Sequence, residues 1–323
     1  MCFKRESAVL QLFLLLFLAF FACSRKGELR YTEKLGEMPH DAYPDYIVNV
    51  ENNKFVALSN IMGASICRVF LLHLGDSGIK VVKSFDIKKG DAPFEISPWG
   101  IGGIGFRNDT LFVFDRLKKH LKLFYVDGQY VGEIKIMDAL QDFRLIDDYF
   151  IFLSLKELRI YDNTGRQIHN LELFNFKELK SYGSETFLGY FVPVVFFKRD
   201  TLFVCDIIQG HVKGIDMKSN KIVYSCILPP KLHGKVEFRT LSSNVISAAP
   251  RSGISSFIVT DSALYVSTFN LDDSTKVGIY HIDRRGKIRN FIVCYQPATL
   301  LRVDSQGLYY LHSNGFYRLT STR

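Results

Sequence analysis

The sequence predicts an all-β protein built from six copies of one antiparallel, four-stranded unit. Aromatic residues make up 14% of the chain, and most of them are Phe and Tyr, which favour strands over helices. A pattern of turn, strand, turn and strand recurs six times along the 323 residues. With 47% hydrophobic and 23% charged residues, the chain is neither disordered nor collagen-like and can bury a large core.

Each unit begins at a polar turn and continues into a strand that carries an aromatic residue. Two of these strands share the pattern Asp-Thr-Leu-Phe-Val-x-Asp. The six predicted strands span residues 53–58, 109–115, 148–153, 200–206, 262–267 and 306–311. A partner strand follows each of them, over residues 68–72, 121–125, 157–161, 211–215, 277–281 and 315–319.

Tight turns and flanking apolar stretches extend each unit to four strands. Asn, Asp, Ser or Gly follows five of the six partner strands, and these residues favour hairpin turns. The unit recurs roughly every fifty residues with irregular spacing, which is typical of β-propeller blades. The last unit lacks a fourth strand, which residues 29–34 can supply. Residues 29–323 are therefore predicted to form a six-bladed β-propeller whose ring is closed by the N-terminal strand.

The first 22 residues have the features of a secretory signal peptide. Lys4 and Arg5 precede an uncharged stretch, and its apolar block, residues 12–22, is too short for a comfortable transmembrane span. Cys23 follows a small residue, as in the lipobox of bacterial lipoproteins, which this segment resembles although Phe20 replaces the usual Leu. An ordinary secretory signal and an uncleaved anchor remain alternatives.

The lipobox resemblance implies an address and an anchor. In that family the signal is removed before the cysteine, which is then lipidated, so residues 1–22 would be the signal, and residues 23–28 a lipidated tether that begins at Cys23. Ser24 implies sorting to the outer membrane of a Gram-negative cell. Either the periplasmic or the surface leaflet is compatible with this sequence.

Two consecutive strands resemble a known repeat. Residues 111–115 and 121–129 are similar to the unit of NHL-like propellers. Together with the lipobox, they make the chain similar to six-bladed propeller lipoproteins of the NHL-like or TolB-like type from Gram-negative anaerobes. The chain lacks the Gly-Pro-Gly loop often found between such blades, and residues 90–93 stand in its place. The resemblance implies a fold and an envelope location but no chemistry.

The charge distribution argues against a nucleic-acid partner, and the cysteine spacing argues against a zinc site. The net charge of +8 is spread as single Lys and Arg residues without a basic block, which argues against nucleic acid and for solubility or attraction to anionic surfaces. The four cysteines that remain after lipidation never approach C-x-x-C spacing, so no zinc site is predicted. Cys205 and Cys226 can face each other within one sheet, but free thiols are expected for Cys67, Cys205, Cys226 and Cys294. We expect no cofactor and no metal.

Familiar catalytic motifs are missing or lie in the wrong context. Residues 100–105 read G-x-G-x-x-G, but they lead into a strand rather than a helix, so we expect an inner strand packed against a channel. Residues 75–78 read Gly-Asp-Ser-Gly between two strands and are predicted to be a hairpin turn. Asp115 and Asp206 occupy equivalent positions and are expected to accept hydrogen bonds from the loops that follow them.

Candidate ligand-binding residues come from the predicted channel and from two long connections. Arginines at or beside the predicted inner strands suit carboxylate or sulfate groups, and they are Arg107, Arg144, Arg199 and Arg302. Two connections, residues 174–190 and 229–253, exceed a normal turn and are candidates for a partner surface or a lid. The second connection carries Lys231, His233 and Arg239.

Three functions are compatible with these features. The first is a non-enzymatic, lipid-anchored propeller that binds a protein partner or a glycan at the cell envelope, because no catalytic constellation is visible. The second is a propeller hydrolase or lyase that acts on an exported carbohydrate or lactone with a channel Asp, Glu or His. The third is a structural subunit of an envelope assembly. Fold alone does not choose among them.

Overall fold

The computed structural model describes residues 30–38, 44–51, 53–60, 64–75, 78–136, 142–146, 148–153, 157–172, 193–242, 245–313 and 315–321. For residues 30, 31, 51, 238–242, 245–248 and 321 it describes the backbone alone. The described residues form 25 β-strands and two short 3₁₀ turns, with no α-helix among them. Within this part of the chain, no helix has the length and apolarity needed to cross a membrane. The all-β prediction is confirmed.

The described strands form six antiparallel sheets, and the first three sheets follow the chain order. Sheet 1 contains β2 (Tyr46–Glu51), β3 (Lys54–Ser59), β4 (Ile66–Gly75) and β5 (Gly78–Lys88). Sheet 2 contains β6 (Ile101–Arg107), β7 (Thr110–Asp115), β8 (His120–Tyr125) and β9 (Tyr130–Lys135). Sheet 3 contains β10 (Asp142–Ile146), β11 (Tyr149–Leu153), β12 (Glu157–Tyr161) and β13 (Gln167–Glu172).

The remaining three sheets continue this order until the last, which combines both ends of the chain. Sheet 4 contains β14 (Val194–Lys198), β15 (Thr201–Cys205), β16 (His211–Asp216) and β17 (Lys221–Ile227). Sheet 5 has five strands, β18 (Lys235–Ser242), β19 (Val245–Val259), β20 (Ala263–Asn270), β21 (Gly278–Asp283) and β22 (Ile288–Val293). Sheet 6 contains β23 (Ala298–Asp304), β24 (Gly307–His312), β25 (Gly315–Ser321) and β1 (Arg30–Glu37).

The six predicted strand pairs all form, and each occupies the middle of a sheet. The second strand of a sheet is buried along nearly its whole length, as in β7, where only Thr110 is partly exposed. The fourth strand is largely exposed, as in β9. This gradient explains the continuous apolar runs in the sequence, because a strand covered on both faces needs apolar side chains at every position.

Two motifs that resembled catalytic sequences are structural, as predicted. The G-x-G-x-x-G stretch forms β6, the first strand of sheet 2. Its Gly103 has φ +154°, and a Cβ atom there would lie 2.2 Å from the carbonyl oxygen of Phe143 in β10. Glycine thus permits close approach of two neighbouring strands. Gly75 and Gly78 pair across the turn that joins β4 to β5.

Among the described residues, six clusters of buried apolar side chains each join two sheets. They connect sheet 1 to 2, 2 to 3, 3 to 4, 4 to 5 and 5 to 6. The sixth connects sheet 6 back to sheet 1, where the rings of Phe55 and Phe316 lie 6.3 Å apart. Each sheet therefore packs against two others, and the last packs against the first.

The predicted N-terminal strand is present and lies where the sequence placed it. β1 pairs with β25 in antiparallel register from Arg30 opposite Ser321 to Glu37 opposite Gly315. The Arg318 guanidinium donates hydrogen bonds to Glu33 across this pair. Residues more than 280 positions apart in sequence therefore share one sheet.

The connection 229–253 is not a loop, which corrects the expectation for this segment. It contains a 3₁₀ turn (Pro230–Leu232) and a hairpin formed by β18 and the first half of β19. Only the second half of β19, from Ser252 onward, pairs with β20. The hairpin therefore extends beyond the end of β20 at Asn270. The other long connection, 174–190, lies outside the described residues, as does Cys23.

The four described cysteines are free thiols, as expected. Cys205 on β15 and Cys226 on β17 both lie next to Val212 of the intervening strand β16. Strands two positions apart are separated by roughly 9–10 Å, which exceeds the Cα separation that a disulfide can bridge. Burial raises the pKa of the Cys205 thiol well above its ordinary value.

Candidate functional site

The two ends of each sheet form two different faces. We call the end of the sheets at which β2, β6, β10, β14, β19 and β23 end the hairpin face. These strands begin at the opposite end of the sheets, which we call the connection face. Neighbouring sheets are aligned so that their hairpin faces lie side by side. On this face, Arg107 Nη1 of sheet 2 lies 3.1 Å from Asp148 Oδ1 of sheet 3, and Lys198 Nζ of sheet 4 lies 2.6 Å from Asp261 Oδ1 of sheet 5.

On the connection face, buried carboxylates hold two loops, as predicted. Asp115 is fully buried and accepts hydrogen bonds from the backbone N–H groups of Ser97, at 2.8 Å, and Lys118, at 3.1 Å. Asp206 accepts two backbone N–H groups of the loop that follows it, at 2.7 and 3.0 Å. These carboxylates replace backbone partners that the loops cannot supply.

The side chain of Lys118 holds the connection between sheets 1 and 2 on this face. The Lys118 ammonium donates to the carbonyl oxygens of Gly90, Ala92 and Glu95, at 2.8, 3.3 and 3.4 Å. The Glu95 side chain in turn accepts the N–H of Ala92 at 3.0 Å. The loop is therefore held by a network rather than by a single contact.

A second lysine holds the same loop from the core side. Lys122 on β8 has no exposed surface, and its ammonium donates to Glu133 Oε2 at 3.0 Å and to the carbonyl oxygen of Pro93. Desolvation acts to raise the pKa of Glu133, but the hydrogen bond and charge of Lys122 outweigh it, so that the pKa is lowered. The ammonium also lies 5.9 Å from the centre of the Tyr130 ring.

Exposed apolar side chains stand on these fixed loops. Phe94 is 49% exposed, Trp99 58% and Leu117 62%, and we call these three residues the Trp99 patch. The two loops that carry them are joined by a hydrogen bond of 3.3 Å from Arg116 Nη2 to the carbonyl oxygen of Trp99. Trp99 is the single tryptophan of the chain. Trp99 is a candidate interaction residue, because tryptophan is enriched at protein interfaces and its loop is already held in place.

A cavity of about 1070 Å³ opens on the hairpin face. The first strands of sheets 1, 2, 3, 4 and 6 line it, together with the other three strands of sheet 1. Most of its lining residues are apolar. Polar lining residues lie near the first hairpin turns of sheets 1, 2 and 3, and they are Asn49, Lys54, His73, Arg107, Asn108, Asp109 and Asp148. Among the described residues, no group of three or more His, Cys, Asp or Glu side chains could hold a metal ion.

The structure places two of the four predicted arginines in this cavity. Arg107 lines it, and its guanidinium lies 5.9 and 5.4 Å from the ring centres of Phe112 and Phe150. Arg144 lines it and pairs with Asp142 at 2.6 Å.

The other two predicted arginines do not line the cavity. Arg199 has a φ of 54°, is 79% exposed and lies 3.6 Å from Asp261. Arg302 packs over the Tyr309 ring at 4.4 Å and pairs with Asp304 at 3.2 Å.

The remaining predicted site residues lie on the connection face. The Lys231 ammonium is 5.4 Å from the centre of the Tyr280 ring. His233 Nε2 lies 2.8 Å from the carbonyl oxygen of Leu228. Arg239 belongs to β18, whose described part at this residue is the backbone. Lys231 and His233 thus contact the connection between sheets 4 and 5 and the neighbouring strand.

The sequence analysis did not identify Asp142, the first residue of β10, whose carboxylate lies near Gly103 of β6. Burial raises its pKa, and the charge of Arg144 offsets this only in part. A Cβ atom at Gly103 would lie 2.8 Å from Asp142 Oδ1, so glycine leaves room for the pair. Nearby, burial raises the pKa of Tyr46 to about 12, and its hydroxyl donates to the carbonyl oxygen of Ile101 at 2.8 Å. A single Asp at a strand start carries no sequence signal for this arrangement.

Solved structures match the arrangement of sheets over nearly the whole chain. An exported protein from Bacteroides fragilis aligns with a TM-score of 0.58 and 10% identity, over 91% of this chain and 96% of that one. A streptogramin B lyase aligns with a TM-score of 0.51 and 11% identity, over 91% and 98%. Both are β-propeller proteins. The chain is a β-propeller.

The comparisons establish the fold of this propeller and nothing further. No family model and no curated protein matches the chain. At identities of 10% and 11%, the solved propellers do not transfer an activity or a ligand. The function of the propeller has to be argued from its own two faces.

Proposed function

We propose that this protein is a six-bladed propeller, anchored to the outer membrane by a lipid on Cys23, that binds a protein partner through its connection face. The six sheets, the six clusters between them and the pairing of β1 with β25 support a ring closed by the N-terminal strand. The signal and lipobox residues support the anchor.

The single observation that carries the binding role is the Trp99 patch. Trp and Arg are the residues that most often dominate the binding energy of protein interfaces, and here Arg116 holds the loop of an exposed Trp99. The loops are fixed before a partner arrives, so binding does not have to order them. Arg116 and Lys119 flank Leu117, which favours a partner segment with acidic residues.

The direction of β1 favours a protein partner over the membrane itself. Arg30 pairs with the last residue of β25, so β1 starts at the hairpin face and runs to the connection face. Cys23 lies seven residues before Arg30, and such a tether spans at most about 25 Å. A lipid on Cys23 would hold the hairpin face toward the bilayer and present the Trp99 patch away from it.

The binding role is tested by site-specific photocrosslinking in cells of the native host. Benzoylphenylalanine replaces Trp99 in one strain and Ile222, an apolar residue of β17 that is 60% exposed, in the control strain. We expect one discrete protein adduct from position 99, weakened when Leu117→Asp is added, and none from position 222. Equal adducts at both positions, or no protein adduct at position 99, would refute partner binding at the patch.

The anchor is tested separately by metabolic labelling with palmitate. We expect label in the wild-type protein and none in Cys23→Ala. Retention of label in the Cys23→Ala variant, or its absence from both, would overturn lipidation at Cys23. The crosslinking result does not depend on this outcome, because it reports only on the connection face.

A further inference from the structure

The cavity on the hairpin face combines apolar and charged side chains, and the partner-binding role does not use it. Phe106, Leu145, Phe196, Phe197 and Leu301 line it, and each is only partly buried although it belongs to the first strand of its blade. Each of them also packs at the edge of a cluster between two blades. A solvent-accessible apolar space of this kind favours a ligand with an apolar body.

The mouth of the cavity carries a preorganised cation. The Arg107 guanidinium lies beside the pair of rings formed by Phe112 and Phe150, 5.9 and 5.4 Å from their centres. Its partner Asp148 is 73% exposed, and an ion pair with so exposed a carboxylate contributes little in water. A ligand carboxylate or phosphate can therefore compete with Asp148 for a charge-assisted contact with the guanidinium.

The other charges of the lining strengthen this preference. Lys54 and Arg144 add two cations, whereas Asp109 and Asp148 are the carboxylates of the described lining. We propose that the cavity binds an anionic amphiphile, with its apolar chain among Phe196, Phe197 and Leu301 and its carboxylate or phosphate head on Arg107.

A neutral glycan fits this cavity less well than an amphiphile. Sugar hydroxyls need hydrogen-bonding groups along the walls, and apolar side chains outnumber polar ones among the lining residues. The N-terminal end of β1 lies on the same face as the mouth of the cavity. The head group can therefore belong to a dissolved fatty acid or to a lipid of the bilayer.

The proposal is tested by calorimetric titration of the mature chain with dodecanoate. We expect binding of dodecanoate, weaker binding of uncharged dodecyl maltoside, and no binding of hexanoate, which has the head but a short chain. Equal binding of dodecanoate and the maltoside would refute a role for the charged mouth. No heat with dodecanoate would refute the proposal as a whole.

Variants locate the ligand within the propeller. Arg107→Gln is expected to weaken dodecanoate binding by at least about tenfold, the loss of one charge-assisted contact. Leu301→Glu is expected to abolish binding, and thermal unfolding checks that both variants are folded. Arg199→Gln is the matched control, because Arg199 lies on the same face outside the cavity. Equal loss in Arg107→Gln and Arg199→Gln would overturn the assignment.

Two vesicle experiments separate the sources of the head group. The mature chain is mixed with vesicles of phosphatidylcholine containing phosphatidylglycerol, with and without excess dodecanoate. Competition between vesicles and dodecanoate identifies a bilayer lipid as a ligand of the cavity, and independence identifies the free acid. Binding through the cavity requires Arg107 in either case. Undiminished binding of vesicles and of dodecanoate by Arg107→Gln would overturn the proposal. A failure here leaves the Trp99 patch untouched.

Discussion

The two faces of the propeller are held together by different kinds of contact. On the connection face, Asp115 and Lys122 have no exposed surface, and both form hydrogen bonds that hold a loop. On the hairpin face, neighbouring blades are joined by ion pairs whose carboxylates, Asp148 and Asp261, are each 73% exposed. Buried contacts fix a loop, whereas exposed pairs exchange with water and with ligands.

This difference matches the two roles proposed. A surface that binds a protein gains from loops that are ordered before binding, and the Trp99 patch stands on such loops. A mouth that admits a small anion gains from a cation whose partner is easily displaced, as Asp148 is on Arg107. Three predictions test this contrast, in order of decreasing expected effect.

Removing the Asp115 carboxylate is expected to have the largest effect. Asp115→Ala leaves the N–H groups of Ser97 and Lys118 buried without their acceptor, which costs about 3 kcal/mol of the free energy of unfolding. Urea denaturation measures this difference. Asp91→Ala, at an exposed residue of the preceding connection, serves as the control and should change stability by less than about 0.5 kcal/mol. A similar small change in Asp115→Ala would remove the distinction between the faces.

Removing the buried ammonium of Lys122 is expected to have an intermediate, pH-dependent effect. Lys122→Met keeps the apolar stem but leaves Glu133 and Pro93 without their donor, at a cost of about 2 kcal/mol near pH 7. The pKa of Glu133 is lowered in the folded propeller, so its contribution is present above the ordinary value and is lost as the pH falls through the lowered pKa.

The difference in unfolding free energy between wild type and Lys122→Met should therefore shrink as the pH falls below about 4. Urea denaturation at several pH values between 3 and 7 measures it. Glu133→Gln in the wild-type background should show the same shrinkage, because it removes the same titrating group. A difference that stays constant over this range would mean that Lys122 acts through Pro93 alone.

The sequence was sufficient for the features that depend on local pattern. The shared Asp-Thr-Leu-Phe-Val-x-Asp segments predicted β7 and β15 and also the role of Asp115 and Asp206, because a strand, its turn and its capping carboxylate are neighbours along the chain. The β1 to β25 pairing was predictable for a different reason. A sheet that lacks its last strand exposes an edge, and the N-terminal segment was the remaining candidate for that strand.

The candidate sites could be predicted only in part, because they depend on side-chain direction and on distant residues. Arg107 and Arg199 both follow an inner strand in the sequence, yet Arg199 takes a left-handed φ in its turn and lies outside the cavity. The cavity combines strands from five sheets, and no local motif encodes it. The Trp99 patch was missed because exposure of an aromatic residue is a property of the folded loop.

Breaking an exposed pair on the hairpin face is expected to have the smallest effect. Asp148→Asn removes the charge opposite Arg107, and the unfolding free energy should fall by less than about 1 kcal/mol because the carboxylate is mostly solvated. Salt near 1 M should erase the difference, since the Debye length is then only about 3 Å. The same variant should bind dodecanoate at least as tightly as wild type, because the Asp148 carboxylate no longer competes for Arg107. A loss above about 2 kcal/mol, or weaker dodecanoate binding, would mean that the hairpin face is held as rigidly as the connection face.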